Sequence, residues 1–103
     1  MTNSGFDLSK YQEYIKNMEI ERGFISNTVL QKCLLLGEEV GELFKAIRKS
    51  EIKNKSRDEI AFEVGEELVD ILIYTCAIAN RYDINLEEMF HKKEELNKTR
   101  SWN

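Results

Sequence analysis

The sequence predicts an all-α protein of four main helices, and three observations carry that expectation. The chain has 103 residues, no proline and five glycines, which suits long uninterrupted helices because proline is the strongest helix breaker. Apolar residues recur at helical spacing along most of its length. Hydrophobic residues make up 42% and charged residues 33%, a balance that fits a soluble helical chain and argues against wholesale disorder. A chain of this length has room for a single domain, residues 1–103, with one modest core, so oligomerisation would help it bury its apolar faces.

The first helix is expected to start near Asp7 or Ser9, to carry Leu8, Tyr11, Ile15 and Met18 at helical spacing, and to stop near Gly23. Ser26, Asn27 and Thr28 are N-cap candidates for a second helix from about Val29 to Arg48. On its wheel Val29, Cys33, Leu36, Val40, Leu43, Phe44 and Ile47 form one broad apolar face, while Glu39 and Glu42 share their own side with Leu35 and Ala46. Acids bordered by apolar groups suit a partly enclosed site. Gly37 and Gly41 each cost roughly 1 kcal/mol relative to alanine inside a helix, and their spacing of one turn predicts close approach of a helix or ligand beside the acids.

Ser50 to Asp58 is polar and basic and reads as a loop between antiparallel helices. The third helix is expected over about Asp58 to Arg81, polar at first and apolar nearly all round after Leu68, as in buried helices. Tyr82 to Asn85 forms a turn. Leu86 to about Lys98 forms a fourth helix, acidic at its start and basic at its end in the sense that suits the helix dipole. The two cysteines, Cys33 and Cys76, lack metal-ligand spacing and are expected to be buried thiols in a reducing compartment.

The formal charge of −4 gives no general attraction to nucleic acid or to an anionic membrane. Met1 to Lys10 lacks the apolar core of a signal peptide, and the Leu68 to Ala79 run is too short to span a bilayer. The expected location is cytoplasmic.

Asp70 organises the chemistry, because it lies inside the apolar run from Leu68 to Ala79. A carboxylate left unpaired in a core costs about 3–5 kcal/mol, and its near neighbours in sequence offer no cation. One turn back stands Glu67, a second acid. The second helix repeats the pattern with Glu39 and Glu42 at i and i+3. Face to face, four carboxylates would repel one another unless a hard divalent cation joined them, and an all-carboxylate set favours magnesium or manganese over zinc. Magnesium keeps positions for water and phosphate oxygens, so such a site reads as a place where a phosphate chain is held and attacked by water.

The segment Glu38-Glu39-Val40-Gly41-Glu42-Leu43, followed after a basic loop by Glu66-Glu67-Leu68-Val69-Asp70-Ile71-Leu72, resembles the MazG-like all-α nucleotide pyrophosphohydrolases, whose hallmark is Glu-Glu-x-x-Glu and then Glu-x-x-Asp on the next long helix. Asp83-Ile84-Asn85-Leu86-Glu87-Glu88 looks like that family's turn into its last helix. The resemblance runs from about Val29 to Trp102. It implies a four-helix MazG-like bundle completed by oligomerisation into a homodimer or homotetramer. The implied activity is magnesium-dependent hydrolysis of a ribo- or deoxynucleoside triphosphate to the monophosphate and pyrophosphate, a reaction open to use in nucleotide-pool housekeeping or in control of a signalling nucleotide.

By the same resemblance Glu39, Glu42, Glu67 and Asp70 would be metal ligands, and Glu38 would position or deprotonate the attacking water. Lys93 and Arg100 would hold phosphate oxygens, Asn97 and Trp102 fall where the family carries an Asn and an aromatic near its C-terminus, and Tyr74 would border the base or sugar. Lys32, about two turns before Glu39 on the same side, would be a further phosphate contact, although many members carry a basic residue where this chain has Leu35. Two other readings stay open. Glu88-Met89-Phe90-His91 is a Glu-x-x-His sequence of the kind found in di-iron carboxylate bundles, but this is the chain's one histidine and such sites usually need two motifs. A non-catalytic helical binding or regulatory module would also accommodate the pattern.

Overall fold

Four α-helices and one short 3-10 turn make up the computed structural model, which describes residues 7–52 and 54–100, with no strand among them. Helix α1 spans Leu8–Arg22. It starts because the Asp7 carboxylate accepts the Lys10 N–H at 3.0 Å. It ends because Gly23 adopts the left-handed conformation, φ 76°, and returns its N–H to the carbonyls of Glu19 and Ile20. Phe24–Ser26 then adds a 3-10 turn that the sequence pattern did not announce.

Among the cap candidates, Thr28 is the one that opens α2, Val29–Ile52: its hydroxyl accepts the Gln31 N–H at 3.0 Å while the Gln31 side chain accepts the Thr28 N–H at 2.8 Å. Helix α2 runs past the expected end at Arg48, because Ser50 satisfies its hydroxyl on the Ile47 carbonyl at 2.6 Å without breaking the helix. Helix α3, Arg57–Arg81, begins with a capping box between Ser56 and Glu59, and the hydrogen bonds from Ser56 hold the Glu59 carboxyl below the usual glutamate range. The basic loop between the two long helices is therefore much shorter than Ser50 to Asp58.

Packing of α2 on α3 dominates the molecule, with α1 laid against α3 and α4, Leu86–Lys98, against α1. The core is small: Ile15, Cys76 and Ala77 are buried, with Leu8, Met18, Ile73 and Leu86 packed around them. Buried Gln12 fixes the α3–α4 turn by donating to Asn80 Oδ1 (3.0 Å) and the Ile84 carbonyl (2.7 Å) and by accepting the Leu86 N–H (2.8 Å). Asp83, in that turn, takes the left-handed conformation at φ 54°, which aspartate tolerates better than most side chains.

Three expectations are corrected here. Helix α3 is buried only at Cys76, Ala77 and Ala79; Leu68 and Val69 are each about half exposed, because α1 covers only the C-terminal part of α3. Cys33 is exposed, whereas Cys76 is buried and its thiol is pushed up by that burial. Among the described residues nothing approaches Gly37 or Gly41, since a Cβ built on either would meet no atom within 4 Å beyond the neighbouring backbone of its own helix. Among the described residues no helix is long and apolar enough to cross a membrane.

Candidate functional site

Helices α2 and α3 are joined by a short loop, so residues equally far from it come level when the pair folds back on itself. Glu39 stands as far from the end of α2 at Ile52 as Asp70 stands from the start of α3 at Arg57. Glu67 precedes Asp70 by one turn on the same side. The result is a three-carboxylate group: Glu39, Glu67 and Asp70 each offer an oxygen, and these atoms all lie within 4.8 Å of one another. All three residues are half-buried.

The electrostatics of the group follow from that crowding. Burial first, then the charge of Asp70, a carboxyl–carboxyl hydrogen bond with Glu67 and the charges of Glu67 and Glu42 all raise the Glu39 pKa above its ordinary value of 4.5. Like charges this close favour retention of a proton or capture of a cation. The donors are hard oxygens, and their negative charge is not neutralised by any ion pair among the described residues, which suits magnesium or manganese.

Around this group the other expected residues fall at different distances. Glu42 is exposed one turn along α2, outside the close trio yet near enough for its charge to act on Glu39. Glu38 is exposed, and its charge reaches Tyr74. Tyr74 stands one turn after Asp70; burial, then the charges of Glu39, Asp70 and Glu38, raise its pKa, so it presents a neutral phenol beside the carboxylates. Lys93 and Arg100 are exposed and Asn97 is half-buried on the helix that packs on α1, and among the described residues no ion pair links Lys93 or Arg100 to the acids. Trp102 lies outside the described residues. His91 and Glu88 are exposed on α4; His91 meets the edge of the Phe90 ring at 5.8 Å and is not part of the carboxylate group.

Lys32 differs most from expectation. It is 2% exposed and ion-paired with Glu19 of α1, itself 5% exposed, so its ammonium is committed to a carboxylate inside the chain and is not a free phosphate contact. Lys32 also lies 5.9 Å from the centre of the Phe24 ring. The pair borders a cleft of about 180 Å³ whose walls include Arg22, Phe24, Asp70 and Tyr74. Sequence reasoning missed α1 as a wall of this site. The available signal was Glu19, one turn after buried Ile15 and so on the covered side of α1.

Comparison with known proteins agrees with this architecture. The MazG nucleotide pyrophosphohydrolase domain matches residues 27–101. Protein YvdC of Bacillus subtilis (strain 168), an uncharacterized protein, is 28% identical over 95 residues, covering 85% of this chain and 90% of its own. The crystal structure of iMazG from Vibrio DAT 722 in its Ctag form superposes with a TM-score of 0.65 at 38% identity over 91% of this chain and 100% of that one. The Ntag form gives 0.65 at 37% identity over 95% and 100%.

Proposed function

The chain belongs to the MazG nucleotide pyrophosphohydrolase family, and from that premise we propose that it hydrolyses a nucleoside or deoxynucleoside triphosphate to the monophosphate and pyrophosphate with a divalent metal. The observation that carries the proposal is the convergence of Glu39, Glu67 and Asp70 from two helices into one unneutralised carboxylate group. These three, with Glu42 beside them, would hold magnesium or manganese. When bound, the ion supplies positive charge against the phosphate oxygens and the pyrophosphate leaving group.

The chain's own residues do the rest. Glu38, exposed at the rim, takes a proton from the water that attacks the α-phosphorus, and the bond from that phosphorus to the bridging oxygen breaks to release pyrophosphate. Tyr74, held neutral, borders the nucleoside and offers its hydroxyl as a donor. Lys93, Asn97 and Arg100 meet the substrate from a neighbouring copy, since α4 packs on α1 in its own chain. The assembly is a homodimer or homotetramer, located in the cytoplasm and serving the nucleotide pool.

The experiment is pyrophosphate release from a panel of ribo- and deoxynucleoside triphosphates, with magnesium and with chelator, for the wild type and Asp70→Asn. Metal-dependent monophosphate formation is expected, reduced more than about 100-fold in Asp70→Asn, since even outer-shell changes around a metal cost roughly 10–100-fold. No cleavage of any nucleotide by folded wild-type protein would overturn the proposal in favour of a binding module.

A further inference from the structure

The cleft beside Asp70 contains four charged side chains, Glu19, Arg22, Lys32 and Asp70, and they divide unequally. Glu19 and Lys32 neutralise each other behind its wall. Asp70 belongs to the carboxylate group. Arg22 is left: exposed in the last turn of α1, it has no hydrogen-bond or ion-pair partner among the described residues. With Lys32 committed to Glu19 and leucine at position 35, Arg22 is the cation of this cleft that has no partner among the described residues.

We propose that Arg22 is a substrate-binding residue, its guanidinium gripping the phosphate chain of the nucleotide where the cleft meets Asp70. This rests on the pyrophosphohydrolase proposal above. A guanidinium presents a planar fork of donors that matches two phosphate oxygens at once, and it stays charged across the working pH range. Its placement answers an electrostatic need, because a polyanion that approaches a cluster of carboxylates is repelled wherever a metal does not face it. Phe24 and Tyr74 line the same cleft and add aromatic surface suited to a ring beside the Arg22 guanidinium.

The test measures binding of tripolyphosphate in the presence of magnesium by titration calorimetry, for the wild type, Arg22→Ala, Arg22→Lys and Lys16→Ala. Lys16 is an exposed cation of the same helix that lines a different groove, so its removal changes net charge equally without touching the cleft. Arg22→Ala should weaken binding about tenfold or more, Arg22→Lys should recover part of the loss, and Lys16→Ala should match the wild type. In turnover Arg22→Ala should raise KM more than it lowers kcat. Equal binding by Arg22→Ala and the wild type, or an equal loss in Lys16→Ala, would overturn the role of Arg22 while leaving the pyrophosphohydrolase proposal intact wherever the wild type turns over nucleotide. A wild type that neither binds magnesium tripolyphosphate nor cleaves nucleotide would overturn both.

Discussion

Glu39 carries the strain of the site in a measurable form. Its carboxyl holds a proton to higher pH in the folded chain than in the unfolded one, because burial and its neighbours Asp70 and Glu67 oppose its charge. Folding therefore binds protons as pH rises above the ordinary glutamate value of 4.5, and stability falls across the window from there to the raised value. Glu59, held low by Ser56, acts with the opposite sign and below 4.5, so the two effects occupy separate windows. We expect the metal-free melting temperature to drop as pH rises above about 4.5, through the range in which Glu39 gives up its proton in the folded chain. Saturating magnesium, which substitutes a cation for the proton, should abolish the drop, and Glu39→Gln should show none with or without metal. An identical pH profile for Glu39→Gln and the wild type in chelator would contradict this account.

At the scale of elements, the Glu19–Lys32 pair joins α1 to α2 at a place where the chain has little apolar core, and both partners are nearly free of water contact. Lys32→Met leaves the Glu19 carboxylate buried and alone, which costs about 3–5 kcal/mol, whereas Glu19→Met with Lys32→Met should restore most of that loss. Urea midpoints of the two variants decide it, and a double variant no more stable than the single one would show that the pair contributes beyond charge compensation. The same pair marks what the sequence could and could not display. Helix ends at Asp7, Gly23 and Arg81 were legible because caps are local chemistry, and the acids were legible because Glu39, Glu67 and Asp70 have spacings that a helical hairpin brings level. The covered side of α1 was not, because Gln12 and Glu19 stand on it, and a search for apolar periodicity passes over polar residues that are buried and satisfied by partners far along the chain. Ser50 misled in the reverse way: a residue type favoured in loops continues α2 once its hydroxyl bonds back to the helix.

The whole molecule is more open than its mass requires. Its radius of gyration is 16.5 Å, against about 13 Å for a compact domain of 100 residues. It exposes 8139 Å², where a compact monomer of 12.1 kDa exposes about 6,000 Å². For two chains that excess amounts to about 4,000 Å², within the range of total area that obligate homodimers bury. Its chemistry points the same way, since Leu34 and Phe44 on α2 and Phe62, Leu68 and Val69 on α3 are at least half exposed. Water-exposed apolar surface on this scale marks a contact face, and a second copy of the chain is the partner always present at equal concentration. We therefore expect a homo-oligomer in sedimentation equilibrium at micromolar concentration. Phe62→Glu, which places a charge on the exposed apolar side of α3, should shift it toward monomer and lower pyrophosphate release together, if copies complete each other's sites. A monomeric wild type would remove the route by which Lys93, Asn97 and Arg100 reach the acids, and a monomeric Phe62→Glu with undiminished turnover would show that one chain holds the whole site.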